Sequence, residues 1–409
     1  MRKADFVSFR ELCSDRKGSE YSTHGLHSYP AQLIPQIPRY FLQEISRKNE
    51  ESTVLDPFCG TGTVMVEAMH NGWNSVGVEI NPVAALIAKV KTTAIREEIL
   101  KEELDSIISL FDELNEDEVE LPEFHNRDYW FSKGSIRILA KIRYCISSIS
   151  NRDVADFYKV VFSSTIKAAS NADPRIYVPV LPKPEYEEEA PDPWPLFVAK
   201  ARKSIQSLVE FSKMISNTKA SCDIHCEDIR GFDVDVPDVD LVISSPPYIS
   251  AQRYVRSTRL EAYWLDYDKN EQLEAHKKSI GTERVSKRYY VEMHRTGLRD
   301  LDRILRKIYK KNRERAGIAS KYFVEMKAVL RKIFSMLSPK GILILVVGSN
   351  TVANYKVKTF KFLMNMCEDI GFSVERIMMD RINSRGLMTR RNKTAGMIDC
   401  EWVIQMRKT

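Results

Sequence analysis

The sequence predicts a doubly wound α/β fold built on one open sheet. Three observations predict it: short runs rich in Val and Ile alternate with helical stretches, a Gly-x-Gly turn directly follows the first run, and an acid ends the second. The runs are bounded by Asp, Gly, Pro or Asn, as expected for buried strands. The seven predicted strands are Thr53–Leu55, Ser75–Glu79, Cys222–Cys226, Val239–Ser244, Ile342–Val347, Ser373–Met378 and Glu401–Met406.

The first crossover is the clearest predicted helix. Val64–Asn71 lies between the first two strands and ends at Gly72, a residue suited to the C-terminal cap of a helix. A helix that joins two such strands is the unit from which a doubly wound sheet is built.

Two long stretches interrupt this alternation. Residues 96–220 have a mostly helical pattern, which is broken where seven of the 17 prolines fall between Pro174 and Pro195. Such a cluster predicts an extended loop or hinge, because proline does not fit a helix interior. Residues 266–330 contain a strongly basic segment. We therefore expect one α/β domain with two insertions.

Charge is segregated along the chain. The net charge is +6, from 62 Lys and Arg against 56 Asp and Glu. Residues 97–123 hold twelve acids and one base, a local charge of −11, whereas residues 277–315 hold fourteen bases and five acids, a local charge of +9. The acidic run is typical of a solvated helix face, and the basic segment favours a polyanionic partner.

Composition argues against several classes of protein. Hydrophobic residues make up 43% of the chain, and no apolar run approaches the roughly 20 residues that cross a bilayer. The N-terminus has no segment of signal-peptide type. Seven scattered cysteines without a Cys-x-x-Cys pair predict neither disulfides nor a zinc ribbon, and therefore a reducing cytoplasm. No metal is expected, since strand alternation would separate the side chains of Cys222, His225 and Cys226.

The glycine turn is the first candidate binding feature. In Asp56-Pro57-Phe58-Cys59-Gly60-Thr61-Gly62-Thr63, the glycines let the backbone approach a ligand and direct amides at it. A phosphate-binding loop would need Gly-Lys-Ser/Thr, and a dinucleotide turn would need a third glycine where Met65 stands. Two interpretations stay open: a structural turn, and a site for S-adenosylmethionine, whose amino-acid end needs amides and a nearby carboxylate such as Asp56.

An acid at the end of the second strand supports the ligand interpretation. Glu79, in Glu79-Ile80-Asn81-Pro82, stands where a carboxylate holds both hydroxyls of a ribose. The same residue is also suited to cap the following helix. Together with the glycine turn, it favours a nucleoside ligand.

A stiff corner follows the fourth strand. Ser244-Ser245-Pro246-Pro247-Tyr248 contains two prolines that cannot donate backbone hydrogen bonds, so the corner presents carbonyl oxygens. The amine of a nucleobase is a poor nucleophile because its lone pair is delocalised into the ring. Acceptors such as the Ser245 hydroxyl and the Pro246 carbonyl would localise that lone pair, and Tyr248 would stack on a base that has left the duplex.

These motifs resemble the DNA amino-methyltransferases, which methylate the exocyclic nitrogen of cytosine (N4) or adenine (N6). The resemblance covers about residues 20–95 and 220–409. The motifs that carry it are His27-Ser28-Tyr29-Pro30-Ala31-Gln32-Leu33-Ile34-Pro35, Asp56 to Thr63, Glu79 to Pro82, Glu227-Asp228-Ile229-Arg230, Ser244 to Tyr248, Ile249 to Tyr254, and Val346-Val347-Gly348-Ser349-Asn350.

The resemblance implies a class I methyltransferase-like sheet of seven strands, with S-adenosylmethionine as methyl donor. It implies direct in-line transfer, without a covalent enzyme intermediate or a metal. The catalytic corner would be Ser245, Pro246, Pro247 and Tyr248. The residues implied in cofactor binding are Tyr29, Pro30, Asp56, Phe58, Gly60, Thr61, Gly62, Glu79, Ile80 and Asp228.

The resemblance also divides the chain by role. The divisions are residues 1–95 for the cofactor-binding half of the catalytic domain, 96–220 for a mostly helical insertion with a proline-rich loop, 221–265 for the catalytic strand and corner, 266–330 for a basic insertion that is the candidate for DNA recognition, and 331–409 for the strands that complete the sheet.

The target base follows from one residue of the corner. The family usually has Ser at the position of Ser245 in cytosine-N4 enzymes and Asp in adenine-N6 enzymes, although some Ser-type members resemble adenine enzymes elsewhere. Cytosine N4 is therefore expected, with adenine N6 as the alternative. A cytosine-C5 enzyme would need a Pro-Cys nucleophile, and that dipeptide does not occur. A transfer-RNA guanine-N2 methyltransferase and an inactive DNA-binding relative are weaker alternatives.

Double-stranded DNA is the expected partner, in a prokaryotic cytoplasm and at the nucleoid. A restriction-modification or related defence system, with a cognate endonuclease, is the expected setting. The first choice for binding phosphates is the basic segment. It is preceded by Arg253, Arg256 and Arg259 at a spacing of three, which is one face of a helix if this stretch is helical. A rival is the loop 170–175, since Asn171 and Arg175 suit purine edges. The expected DNA-binding residues are Arg253, Arg256, Lys287, Arg288, Arg295, Arg390 and Arg391.

Overall fold

A computed structural model of the protein describes residues 4–13, 20–30, 32–115, 118–183, 189–233, 238–249, 254–267, 269–283, 285–381 and 400–409. In these ranges the strands are β1 (Asp5–Phe6), β2 (Thr53–Asp56), β3 (Asn74–Val78), β4 (Cys222–His225), β5 (Val239–Ser244), β6 (Leu337–Gly348), β7 (Asn350–Val352), β8 (Tyr355–Val357), β9 (Phe372–Arg381) and β10 (Cys400–Lys408).

The helices of the same ranges are α1 (Phe9–Leu12), α2 (Gln36–Glu44), α3 (Thr63–His70), α4 (Pro82–Lys91), α5 (Glu97–Glu113), α6 (Arg127–Trp130), α7 (Lys133–Ser147), α8 (Arg152–Ile166), α9 (Pro193–Ile215), α10 (Tyr254–Ser257), α11 (Arg259–Trp264), α12 (Lys269–Lys278), α13 (Arg288–Val291), α14 (Arg299–Lys311), α15 (Arg313–Met336) and α16 (Thr359–Ile370). A 3₁₀ helix spans Ser22–Leu26.

The central sheet has the order β1-β9-β10-β6-β5-β2-β3-β4. All its pairings are parallel except those that β10 makes with β6 and β9. The seven predicted strands correspond to β2, β3, β4, β5, β6, β9 and β10. Numbered 1 to 7 in chain order, these strands lie in the order 3-2-1-4-5-7-6, and strand 7, which is β10, is antiparallel to its neighbours. This is the order of a class I methyltransferase sheet. The predicted doubly wound fold is therefore confirmed.

The number of strands differs from the prediction. β1 adds an eighth strand at the edge through two residues that pair with Met378 and Met379, and a separate β7–β8 hairpin follows β6. Runs of two or three residues are too short to show the alternation of apolar and polar residues by which strands are recognised in sequence. The predicted helix Val64–Asn71 corresponds to α3, and Gly72 follows it with a φ of 71°.

Three buried clusters hold the fold together. On one face of the sheet, Phe41, Met65 and Trp73 join α2 and α3 to the strands. On the other face, α15 and α16 pack through side chains such as Phe323 and Leu363. The third cluster fills the helical insertion, α5 to α9, and continues into α4 and α11. The insertion is therefore packed against the sheet domain by a shared apolar core.

The proline cluster is only partly a loop. Residues 167–183 and 189–192 are irregular, but Pro193 and Pro195 lie in the first turn of α9, where the expectation of an extended segment is wrong. Proline is well suited to the first helical turn, because its missing N–H has no partner there in any helix. Asp192 caps this helix by accepting a hydrogen bond of 2.9 Å from the Trp194 amide.

The acidic run behaves as a solvated face. In α5 the side chains of Leu100, Leu104 and Ile107 are buried, and the acids point outward between them. The helix is amphipathic, so its charge has a structural reason without a ligand. Among the described residues, no helix is both long and apolar enough to cross a bilayer.

Candidate active site

An open cleft lies across the carboxyl ends of β2, β3 and β5, beside the point where the strand order reverses direction. The empty volume of the cleft, including the part that is open to solvent, is about 1230 Å³. Its walls come from the segments that follow these strands and from Glu227 to Ile229 after β4. Tyr29, Gln32, Lys278 to Ile280 and Glu401 also line it. Ligands of doubly wound sheets bind at this kind of switch point.

The first wall is the turn after β2. Asp56 is buried, and its Oδ1 accepts hydrogen bonds from the Phe58 amide at 3.0 Å and from the Ser244 hydroxyl at 2.7 Å. Burial raises the pKa of Asp56 to about 7, against the opposing effect of these two donors. Of the two serines at the end of β5, Ser244 therefore supports Asp56, while Ser245 lines the cleft.

The two glycines of this turn have different surroundings. Both are left-handed, with φ of 54° at Gly60 and 80° at Gly62. A Cβ on Gly60 would meet no atom within 4 Å, so that residue leaves space in the cleft. A Cβ on Gly62 would lie 3.0 Å from the Ala88 Cβ, so Gly62 lets α3 and α4 approach each other. Gly62 does not line the cleft.

Glu79 connects the turns after β2 and β3. Its Oε2 accepts a hydrogen bond from the Gly60 amide at 3.0 Å, and its Oε1 accepts one from the Asn81 amide at 2.8 Å. Burial raises the pKa of Glu79, and the two amides oppose that change. The carboxylate is thus oriented at the tip of the strand, and Ile80 lines the cleft beside it.

The N-terminal segment completes this end of the cleft. The Asn81 Nδ2 donates to the Tyr29 hydroxyl at 3.2 Å and to the Thr258 hydroxyl at 3.1 Å. The Gln32 Nε2 donates to the Thr61 hydroxyl at 2.8 Å. Pro30 adjoins these residues without lining the cleft. The segment that contains Tyr29 is thereby joined to both strand-end turns.

A buried polar cluster anchors the same segment from behind. Glu67, on α3, accepts hydrogen bonds from the Arg39 Nε at 3.1 Å and lies 2.9 Å from the His24 Nε2. Arg39 and Glu67 are fully buried, so each charge depends on the other for its compensation. Sequence reasoning missed this cluster, because residues 43 positions apart carry no local pattern.

Asp228 and Arg230 follow β4 at the far end of the cleft. The Arg230 guanidinium donates to both carboxylate oxygens of Asp228, with Nε 2.9 Å from Oδ1 and Nη2 2.5 Å from Oδ2. Burial opposes ionisation, but the Arg230 hydrogen bonds prevail and lower the pKa of Asp228. Asp228 therefore lines the cleft as an oriented carboxylate.

The Ser-Pro-Pro-Tyr corner lies at the opposite end. Ser245, Pro246, Pro247 and Tyr248 all line the cleft. The Tyr248 hydroxyl donates to the Glu401 Oε1 at 3.1 Å, and Glu401 also lines the cleft from β10. Gly281 packs against this corner, since a Cβ there would be 2.6 Å from the Tyr248 carbonyl oxygen. The corner and the glycine turn thus share one cleft.

The predicted cofactor-binding residues lie at or beside the cleft: in the turns after β2 and β3, in the N-terminal segment and after β4. Tyr29, Asp56, Phe58, Gly60, Thr61, Glu79, Ile80 and Asp228 line the cleft, whereas Pro30 and Gly62 lie beside it. Sequence reasoning missed Asn81, Lys278 and Glu401 as wall residues. Asn81 stood within a motif and could have been found from it, but nothing near Glu401 in the chain connects it with Tyr248.

The predicted DNA-binding residues are more scattered. Lys287, Arg288 and Arg295 are exposed, in and around α13. Arg256 is half-buried in α10, and Arg253, Arg390 and Arg391 lie outside the described residues. Arg256 and Arg259 do not share one helix, which was the condition for their common face, because α10 ends at Ser257 and α11 begins at Arg259. Arg259 instead stacks 4.8 Å from the Trp130 ring centroid.

The rival loop uses its polar groups internally. The Arg175 Nε and Nη2 donate to Asp173 at 2.8 and 2.7 Å. The Asn171 Nδ2 donates to the Tyr129 carbonyl at 3.1 Å. Within the described parts of the chain, no group of three or more His, Cys, Asp or Glu side chains is arranged to hold a metal ion.

The strand order, together with a cleft at its switch point, defines a class I S-adenosylmethionine-dependent methyltransferase fold. Residues 9–90 match the family model described as DNA methylase. Together with the relatives below, this match supports the resemblance of the chain to the S-adenosylmethionine-dependent DNA amino-methyltransferases.

Two relatives are similar to parts of this chain. The type II methyltransferase M.MvaI of Kocuria varians is 28% identical over 261 residues, which are 60% of this chain and 58% of the relative. The type II methyltransferase M.MjaII of Methanocaldococcus jannaschii is 38% identical over 89 residues, which are 22% of this chain and 16% of the relative. The chain thus matches less than two thirds of either relative's length.

Among solved structures, an S-adenosylmethionine-dependent methyltransferase of Methanosarcina mazei is 10% identical to this chain. The alignment covers 88% of this chain and 93% of that one, with a TM-score of 0.31.

Proposed function

We propose that the protein is a DNA methyltransferase that transfers a methyl group from S-adenosylmethionine to the exocyclic N4 amine of cytosine. One observation carries this proposal: the Ser-Pro-Pro-Tyr corner lines the same cleft as the glycine turn and Glu79. A nucleoside-binding end and an amine-polarising corner are the two parts that such a transfer needs.

The cofactor end of the cleft fits S-adenosylmethionine. The Cβ position of Gly60 is empty of atoms within 4 Å, which leaves room for a ligand against the backbone of the turn. Glu79 lines the cleft with carboxylate oxygens that would accept from the hydroxyls of a ribose, and the Asp228 carboxylate suits an adenine amine. Asp56 supplies a carboxyl group to the amino-acid end.

When bound, S-adenosylmethionine supplies an electrophilic methyl group on sulfur, and its transfer to an amine yields S-adenosylhomocysteine and a proton. The chain's part is to position the amine and polarise it. The Ser245 hydroxyl and the Pro246 carbonyl accept the two amine N–H groups, which concentrates the nitrogen lone pair in the remaining direction. Tyr248 offers a face on which the flipped base stacks.

Ser245 supports cytosine over adenine, because the resemblance associates serine here with N4 enzymes. The alternative is adenine N6, which presents the same kind of amine to the same two acceptors. The surroundings of the corner suit either base, so the identity of the methylated nucleoside decides between them.

The DNA is proposed to lie over the basic segment. Lys278 is part of the cleft wall, and the segment continues from there into α13 and α14. In α14 the side chains of Leu301, Leu305 and Ile308 are buried, while Arg306, Lys307 and Lys310 are exposed. The apolar face therefore fixes the helix to α15 and leaves a row of cations for phosphates. Modification within a restriction-modification or related defence system is the proposed biological role.

The test is to express the protein in a host without DNA methylation, digest its DNA, and identify the nucleosides by mass spectrometry. N4-methylcytosine supports the proposal. N6-methyladenine moves the activity to the other amine. If DNA remains unmethylated while transfer RNA gains methyl groups, the DNA assignment is wrong.

Tyr248→Ala separates chemistry from cofactor binding. It should lower methylation at least about 100-fold, while the affinity for S-adenosylhomocysteine stays within about threefold. A loss of cofactor affinity as large as that caused by Asp56→Ala would contradict the role given to Tyr248.

A further inference from the structure

One side chain joins the two ends of the cleft. Arg230 holds both oxygens of Asp228, and its Nη2 also donates to the Lys278 carbonyl at 2.5 Å. Its Nη1 binds the Glu325 carboxylate of α15. One guanidinium thus connects the loop after β4, the start of the basic segment and a helix of the core.

The segment held at Lys278 lies against the catalytic corner. Lys278, Ser279 and Ile280 line the cleft, and Gly281 packs so closely on Tyr248 that a Cβ would be 2.6 Å from its carbonyl oxygen. This glycine is left-handed, with a φ of 78°. The position of residues 278–281 therefore determines the space beside Tyr248.

Arg230 is connected to the proposed adenosine site through Asp228, which lines the cleft. Asp228 has both oxygens engaged by the guanidinium, so its orientation and that of Arg230 change together. A ligand amine that donates to Asp228 favours one carboxylate orientation. It thereby favours one orientation of the Arg230 fork, which has several donors in a fixed plane.

We propose that Arg230 couples the two ligands: cofactor binding at Asp228 stabilises residues 278–281 in the position that shapes the target pocket at Tyr248, so that cofactor and DNA bind with positive cooperativity. The identity of the ligands rests on the proposed function. Because the coupling of two binding equilibria is reciprocal, each ligand raises the affinity for the other by the same factor.

The experiment measures that factor. DNA affinity is determined with and without saturating S-adenosylhomocysteine, on a duplex containing a site that the enzyme methylates. For the unchanged protein we expect DNA to bind about tenfold more tightly in the presence of the cofactor product. In Arg230→Gln, saturating S-adenosylhomocysteine should change the DNA affinity by no more than about twofold.

Two variants separate geometry from charge. Arg230→Lys keeps the charge but cannot hold Asp228, Lys278 and Glu325 at once, so it should also lose most of the coupling. Lys321→Gln removes the other cation on Glu325, whose Oε1 lies 2.6 Å from the Lys321 Nζ, and leaves the bridge between Asp228 and Lys278 intact. Lys321→Gln should therefore show the same effect of S-adenosylhomocysteine on DNA affinity as the unchanged protein.

Hydrogen exchange provides a readout without DNA. S-adenosylhomocysteine should slow exchange of the amides of Ser279 and Thr282, which donate to the Ala275 and Ser279 carbonyls, and Arg230→Gln should abolish the effect. Unchanged exchange in the unchanged protein, or full coupling in Arg230→Gln, would overturn the inference. Loss of cofactor binding in Arg230→Gln would make Arg230 a structural support and also overturn it. Failure to methylate DNA, with the exchange effect present, would count only against the proposed function.

Discussion

The hydroxyl of Tyr248 donates a hydrogen bond of 3.1 Å to the Glu401 carboxylate, across 153 residues of chain. Tyr248 belongs to the turn after β5, and Glu401 to the last strand of the sheet. This bond holds the hydroxyl end of the ring that is proposed to stack on the target base. Burial raises the pKa of Glu401, and the Tyr248 donor opposes that change.

Removing either partner of this bond should slow the methyl-transfer step without weakening cofactor binding. We expect Tyr248→Phe and Glu401→Leu each to lower the single-turnover rate about tenfold, because the far end of the ring is then no longer held by the hydrogen bond to residue 401. The double variant should be no slower than either single one. Glu401→Gln keeps an acceptor and should stay within about threefold of the unchanged protein. Additive losses in the double variant would show that the two residues act independently.

Cofactor affinity should rise with pH through neutrality. The pKa of Asp56 is about 7, and only the ionised carboxylate attracts the cationic amino group at the amino-acid end of the ligand. S-adenosylhomocysteine should therefore bind about tenfold more weakly at pH 6 than at pH 8, measured by titration calorimetry. Lys91, whose pKa burial lowers to about 7, titrates in the same range behind Thr61. Asp56→Asn separates the two groups, since a persisting slope would assign the effect to Lys91.

The two glycines of the turn should respond differently to alanine. Gly62→Ala should lower the free energy of unfolding by about 2–4 kcal/mol, because the new methyl group meets α4 in addition to the left-handed strain. Gly60→Ala should cost only about 1 kcal/mol and weaken S-adenosylhomocysteine binding at least about tenfold. Urea unfolding and calorimetric titration check both values. The different roles given to the two glycines would be wrong if Gly60→Ala lowered stability more than Gly62→Ala, or if Gly62→Ala weakened ligand binding more than Gly60→Ala.

Glu261 should make stability depend on pH. This residue of α11 is buried beside Lys167 and Lys200, and burial raises its pKa to about 7. The folded state therefore favours the protonated acid, and stability falls as pH rises from the ordinary 4.5 through 7. At pH 8 the cost approaches about 3 kcal/mol. Glu261→Gln should be more stable by up to that amount at pH 8 and by less than about 1 kcal/mol near pH 5. The exposed Glu102→Gln is the matched control, and equal behaviour of the two variants would contradict the assignment.

The exposed cations of α14 should set the salt dependence of DNA binding. Replacing Arg306, Lys307 and Lys310 by Gln should reduce the slope of log K against log salt by about 0.9 for each phosphate that the helix no longer neutralises, at unchanged stability. The same three changes at Lys133, Lys203 and Lys213, exposed on the helical insertion, should leave the slope as it is. A larger effect of the second set would move the DNA to the insertion.

Much of the site follows from local sequence. Asp56, Glu79 and Ser245 each follow a recognisable buried strand, and parallel neighbouring strands bring such ends to the same edge of the sheet. Long-range partners carry no such pattern, and neither do β1 or the β7–β8 hairpin. The two arginines predicted to share a helix face fall in separate short helices, because spacing alone does not establish that a helix is continuous.

The sequence by itself determined the doubly wound sheet, the acids and glycines at its strand ends and the rigid Ser-Pro-Pro-Tyr corner, because each depends on residues adjacent in the chain. Only the tertiary structure decided that Gly62 serves helix packing while Gly60 opens the cleft, that Glu401 holds Tyr248, and that Arg230 joins Asp228 to Lys278. These relationships depend on how distant segments pack, and packing is a property of the whole fold.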